Sequence, residues 1–252
     1  INNIMVEPVK FETKNEAAKY VALYIANSIN LFQPAENKPY VLGLPTGSSP
    51  EPVYAELINL YEKRLVSFEN VVTFNMDEYC EIEPTNDQSY NYFMHKNLFD
   101  HVDLQPQNIN ILNSLAEDYE KECADYEAKI NKYGKFNLFM GGLGPKGHIA
   151  FNESGSPRDS KTRVVNLDES TIIANSRFFG NDTSKVPTKA LSVGISTIID
   201  NSNELLFLVF GETKREILHK TLTSEICSGI PSTYLREHKN CMIVFDSEAA
   251  GN

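Results

Sequence analysis

The sequence predicts an α/β fold built on an open, mostly parallel sheet with helices on both faces. Three observations carry this. Helical and strand-like apolar periods alternate along the whole chain, the strand-like runs are short and end at turns, and 252 residues with 41% hydrophobic content are enough to bury one large core. Neither an internal repeat, nor a low-complexity tract, nor a linker interrupts the pattern, so residues 1–252 are expected to form a single domain.

The elements follow in order. "NEAAKYVALYIANSINLF" (15–32) puts Ala18, Val21, Ala22, Ile25 and Ile29 on one helical stripe, and "YVLGL" (40–44) is a buried strand ending at "PTGSSP". "PEPVYAELINLYEKR" (50–64) starts a helix with Pro50 in its first turn, and "ENVVTFNM" (69–76) is the next strand. Asn86 and Asp87 suit the cap of a helix over "NDQSYNYFMHKNLF" (86–99), and "NINIL" (108–112) is a brief strand. The charged amphipathic "SLAEDYEKECADYEAKINKYG" (114–134) closes at Gly134, before the strand "KFNLFMGG" (135–142). Beyond one long loop come "TRVVNL" (162–167), a helical "DESTIIANSRFF" (168–179), the apolar "ALSVGISTII" (190–199), and then "ELLFLVFG" (204–211), "TKREILHKTLT" (213–223) and "CMIVF" (241–245). The whole is a Rossmann-like three-layer sandwich.

Sheets of this kind bind ligands at the carboxyl ends of their strands. That directs attention to "LPTGSSP", "NMDEY", "GGLGPKGHIAFNE" and "GETK". Gly142, Gly144 and Gly147 satisfy G-x-G-x-x-G, but a dinucleotide motif opens a helix in the first βαβ unit, whereas this one contains Pro145 and runs into "HIAFNESGSPRDS", which has no helical stripe. The glycines are instead expected to shape a tight turn that delivers His148 and Glu153 into a pocket. Thr46, Gly47, Ser48 and Ser49 offer hydroxyls and backbone N–H groups at a helix start, a suitable anion cradle or, equally, an ordinary cap. Asp77 and Glu78 stand directly beyond a buried strand, where carboxylates serve either proton transfer or a solvated turn. Arg177 and Lys214 are cations near enough to reach a phosphate held by the 46–49 loop.

A net charge of −11 argues against nucleic acid and anionic membranes as partners, while leaving room for a small anionic substrate in a locally basic pocket. Cys80, Cys123, Cys227 and Cys241 lack the spacing of a zinc site or a disulfide framework, which fits a reduced cytoplasmic protein without a metal. Residues 1–10 lack the basic flank and apolar stretch of a signal peptide, and no run approaches the length that spans a bilayer.

"VLGLPTGSSP", "VVTFNMDEY", "LFMGGLGPKGHIAFNE", "TIIANSRFFGND" and "VPTKALSVGISTIID", with the strand leading to Lys214, resemble the glucosamine-6-phosphate deaminase family over nearly the whole chain. The wording of "NESG" and "HKNCMIVFDSEAAG" is closest to its fungal branch. The related 6-phosphogluconolactonases typically read towards "SLFP" after the histidine, where this chain has "AFNE".

The resemblance implies a cofactor-free conversion of glucosamine 6-phosphate to fructose 6-phosphate and ammonia, in amino-sugar catabolism. Asp77 would move a proton between C2 and C1, His148 would open the pyranose ring, and Glu153 would support that histidine. Thr46, Gly47, Ser48, Arg177 and Lys214 would hold the phosphate, and residues 162–182 resemble the family's mobile lid. Two positions depart from the family. Lys146 stands where the family has a carboxylate that accepts a hydrogen bond from the histidine; a lysine has only donors, and its charge disfavours imidazolium. Val165 stands where the bacterial effector site has a lysine two residues beyond the arginine at position 163, so control by N-acetylglucosamine 6-phosphate is not expected. Lys146 alone supports the alternative expectation, a sugar-phosphate-binding pseudoenzyme acting as a sensor or partner subunit. The sequence leaves monomer and homo-oligomer equally open.

Overall fold

The computed structural model describes residues 6–252, and the first half of the segment read for a signal peptide lies outside the described residues. Ten strands and eight helices follow one another as β1 (Val6–Phe11), α1 (Lys14–Phe32), β2 (Tyr40–Leu44), α2 (Glu51–Glu62), β3 (Val71–Asn75), β4 (Asp77–Tyr79), α3 (Tyr90–Asn97), β5 (Ile109–Asn110), α4 (Tyr119–Lys132), β6 (Leu138–Gly142), β7 (Arg163–Asn166), α5 (Glu169–Asn175), β8 (Lys189–Ser192), α6 (Ile195–Ile199), β9 (Leu205–Val209), α7 (Arg215–Thr223), β10 (Cys241–Asp246) and α8 (Ser247–Ala250). Seven strands form one sheet in the order β1-β10-β9-β6-β2-β3-β5, every pair parallel.

Alternation along each strand divides the core in two. Leu42, Leu44, Met140, Leu206, Leu208 and Val244 meet α1, α2 and α3 on one face, through Val21, Ile25, Leu57 and Met94. Val41, Phe139, Phe207 and Ile243 meet α4, α6 and α7 on the other, through Tyr126, Ile130, Ile198 and Leu218. Burial on both faces explains why the central strands read as unbroken apolar runs.

The strand order also locates a crevice. From β2 the chain steps outward to β3 and β5, then returns to β6 on the other side of β2 and continues outward through β9 and β10. The connections leaving the carboxyl ends of β2 and β6 therefore diverge, which opens a cleft between them. The four loops singled out in the sequence leave β9, β6, β2 and β3, four consecutive strands of the sheet.

Several boundaries differ from the expectation. β1 was not foreseen, because it is an edge strand whose Glu7 and Pro8 interrupt the apolar pattern; an edge tolerates both, since one side needs no partner. The α3 helix is capped by Ser89, whose hydroxyl accepts from Tyr92 N, rather than by Asn86 or Asp87, which sit in the preceding turn. The α4 helix begins behind Asp118 rather than at Ser114, because the Asp118 carboxylate accepts from Lys121 N. "ALSVGISTII" divides into β8 and α6, and β8 joins β4 and β7 in a small antiparallel sheet, β4-β8-β7. At the division, a Cβ on Gly194 would lie 2.0 Å from the Ser160 carbonyl oxygen, so only glycine lets the two backbones approach.

Candidate active site

Asp77 is placed by the step from the large sheet to the small one. β3 ends at Asn75, Met76 donates to Leu44 O and accepts from Val193 N, and Asp77 then pairs with Ser192 of β8. Two consecutive carboxylates consequently face opposite surroundings. Glu78 is fully engaged: its oxygens accept from Tyr79 N, Tyr90 N and Asn91 N and from the Ser89 hydroxyl at 2.8–3.0 Å, so it fastens β4 to the start of α3. Asp77 is buried and accepts no hydrogen bond among the described residues. Burial, reinforced by the neighbouring Glu78 charge, pushes the Asp77 carboxyl well above the usual carboxylate range.

The loop after β6 curls so that Gly144 N donates to His148 O at 2.9 Å and Gly147 N to Gly144 O at 3.0 Å. Gly147 has φ +86° and packs against Ile217, Ile230 and Ser232, a conformation and a closeness that exclude a side chain. Beyond the histidine, buried Asn152 donates to Ile149 O and Val193 O, each at 2.8 Å, and accepts from Arg163 Nη1. His148 is thereby held half-buried at the crevice. Burial pushes its imidazole below the ordinary value, with Lys146 and Lys214 adding to the effect and Asp168 opposing it.

Two expectations about this loop change. Lys146 is exposed at the rim of a surface cavity of about 400 Å³ shared with Glu216 and Lys220, and it makes no hydrogen bond or ion pair among the described residues. Its influence on His148 is through charge alone. Glu153 has no hydrogen bond to His148; its oxygens accept instead from Thr171 Oγ1 at 2.8 Å and Asp168 N at 3.3 Å. Burial and the adjoining Asp168 carboxyl push Glu153 upward. Asp168 and Thr171, at the start of the "DESTIIANSRFF" helix, were not foreseen as site residues, although an aspartate just before a helix is a cap signal that marks the position.

The anion-binding candidates occupy the neighbouring loops. Gly47, at φ +108°, turns the chain so that Thr46, Ser48 and Ser49 precede α2, whose Pro50 cap makes no side-chain bond to the first N–H groups. Lys14 Nζ reaches the same loop and donates to Ser48 O at 2.8 Å. Lys214 is partly buried, donates to Leu143 O, and is pushed below the ordinary lysine value by burial. Arg177 differs: it is exposed, 4.6 Å from the Phe178 ring, on the segment between β7 and β8. A cavity of about 960 Å³ at the opposite end of the sheet, around Lys38, Asn70, Lys132 and Asn137, contains none of these residues.

Asp77, His148 and Lys214 follow β3, β6 and β9, three of four consecutive parallel strands, and Lys214 lies near enough to His148 for its charge to act there. Residues 12–244 match the family described as glucosamine-6-phosphate isomerases/6-phosphogluconolactonase. The chain belongs to this family. Among its relatives, the glucosamine-6-phosphate isomerase of Candida albicans is 55% identical, the match covering 96% of each chain. The glucosamine-6-phosphate deaminase of Actinobacillus pleuropneumoniae is 48% identical, over 96% of this chain and 90% of that one. A solved monomeric glucosamine-6-phosphate deaminase superposes with a TM-score of 0.91 at 36% identity, over 97% and 99% of the two chains. The 6-phosphogluconolactonase of Thermotoga maritima shares the fold, with a TM-score of 0.74 at 21% identity. Within the family, the chain lies with the isomerase/deaminase branch, and its likeness to the Candida protein agrees with the fungal wording of its motifs.

Proposed function

We propose that the protein converts glucosamine 6-phosphate and water to fructose 6-phosphate and ammonia. Asp77 is the observation that carries the reading: a buried carboxylate with neither a donor nor a cation beside it calls for a positively charged group from the ligand, and the 2-ammonium of an amino sugar supplies one. A gluconolactone has no such group. Once the ammonium draws Asp77 into its ionised form, the carboxylate takes the C2 proton and returns it to C1. His148 takes the proton of the anomeric hydroxyl and gives it to the ring oxygen, which opens the pyranose. Thr46, Gly47, Ser48, Lys214 and Arg177 hold the phosphate and so fix C2 over Asp77.

Residues 162–182 act as a lid on this single domain, bringing Arg177 to the phosphate and carrying the groups that bond to Glu153. The four free thiols, three of them buried, suit a reducing cytoplasmic compartment. The chemistry assigned to the side chains needs no cofactor. The alternative reading, binding without turnover, rests on Lys146; an exposed lysine that acts only through its charge slows ring opening without removing a catalytic group.

Ammonia release from glucosamine 6-phosphate, measured beside the binding of the same sugar, tests the reading. Release at a rate that saturates with substrate is expected. Tight binding with no release would establish the binding protein instead.

A further inference from the structure

His148 stands among opposing charges. Lys146, two residues before it, and Lys214, at the end of β9, both act against its protonated form, and Asp168 is the one carboxylate among the described residues that favours it. The placement of Asp168 is not incidental. Its backbone N–H donates to Glu153 Oε2, and Thr171, one turn further along α5, donates to the other Glu153 oxygen. Glu153 is five residues from His148 in the same loop, so the bonds that fasten α5 to Glu153 tie Asp168 to the segment that carries the histidine. Glu153 is buried while Asp168 is exposed.

We propose that Asp168 is a positioning residue for His148: fastened to Glu153, it supplies from the β7–β8 segment the negative charge that the histidine loop lacks with a lysine at position 146. During ring opening the anomeric O–H bond breaks, its proton passes to His148, the C1–O5 bond breaks as the C1 carbonyl forms, and the proton moves on to O5. Asp168 touches none of these atoms and takes no proton. It stabilises the imidazolium while the proton is held there. Because Asp168 rides on the segment that also bears Arg177, the charge at His148 depends on that segment being seated, which couples ring opening to phosphate capture.

The proposal rests on the deaminase reading only where it concerns turnover, and the decisive measurement is independent of activity. The imidazole of His148 is titrated by NMR in protein with labelled histidine, its signal identified by its loss in His148→Gln. In Asp168→Asn, which keeps a residue suited to precede a helix, the His148 pKa is expected to fall by about half a unit, the scale on which one exposed charge acts across solvent. Glu169→Gln removes an equally exposed charge one residue away and should leave the titration in place. Adding Lys146→Asp to Asp168→Asn should restore it, because the lost charge is returned from the loop side. In turnover, Asp168→Asn should lower kcat about threefold at neutral pH with KM little changed, and Asp168→Glu should recover it. An unmoved titration in Asp168→Asn, or an equal fall in Glu169→Gln, would overturn the role. If unsubstituted protein released no ammonia, the deaminase reading would fall while the titration still decided the place of Asp168.

Discussion

Folding disfavours the ionised form of Asp77, which is the form that proton transfer uses. Its carboxyl is raised by burial, so the folded protein binds this proton more tightly than the unfolded chain does. The favourable contribution is complete below the ordinary carboxylate pKa of about 4 and is lost as pH rises towards the raised folded value. Asp77→Asn removes that burden. It should raise the melting temperature at pH 7 while lowering kcat by about 10²-fold or more, with solvent-deuterium exchange at C2 lost and affinity for the sugar phosphate retained. Exchange at the unsubstituted rate would remove Asp77 from the proton transfer. The sign is opposite for His148, whose lowered value gives stability that is present above the ordinary histidine pKa and is lost as pH falls through the folded one. Lys146 acts on that same equilibrium from solvent. Lys146→Asp or Lys146→Glu should raise the His148 pKa and increase kcat about threefold to tenfold, with little change in KM, read from kcat and KM across pH. A fall in kcat would mean that the loop requires the cation.

Each element delivers its group by a different means, and this explains what the sequence disclosed. The motif residues at strand ends were legible because a parallel sheet fixes where its loops emerge: Asp77 follows β3, His148 follows β6, Lys214 follows β9. What depends on side chains meeting across the chain was not. Nothing local distinguishes Asp77 from Glu78; only the four donors that converge on Glu78 from β4 and α3 do so. The bonds made by Glu153 were not legible either, because Thr171 reaches it from 18 residues away. The small sheet escaped notice for the same reason, since β4 and β8 pair across more than a hundred residues. Its junction is fragile. Gly194→Ala would drive a Cβ into the Ser160 carbonyl, and because both are backbone neither can turn aside. A loss of about 1–3 kcal/mol in denaturant unfolding is expected, with turnover lowered as Ser192 and its partner Asp77 shift.

At the scale of the molecule, the phosphate candidates divide between the parallel sheet and the segment from β7 to β8, the proposed cover. Lys214 is partly buried and bonded to Leu143 O, whereas Arg177 stands in solvent on the cover. Lys214→Ala and Arg177→Ala should both raise KM for glucosamine 6-phosphate by about tenfold or more, the loss of one charge-assisted contact, and weaken unphosphorylated sugars far less. Equal losses for both kinds of sugar would show that neither residue meets the phosphate. The helix of the cover, α5, has no buried side chain: Ile172 is only partly buried against the cluster of Tyr79, Ile82, Leu167 and Ala190, and the other ties are polar, Thr171 and Asp168 to Glu153 and Asn175 to the Tyr79 hydroxyl at 3.1 Å. Polar ties of this kind are each worth little against water, so the amide protons of residues 169–175 should exchange with deuterated solvent far faster than those of β2 or β6. A sugar phosphate that engages Arg177 adds a tether outside the helix, and exchange there should slow most at residues which never touch the ligand. The timing of product escape would then be written in the unfastening of three weak bonds, not in the chemistry beneath them.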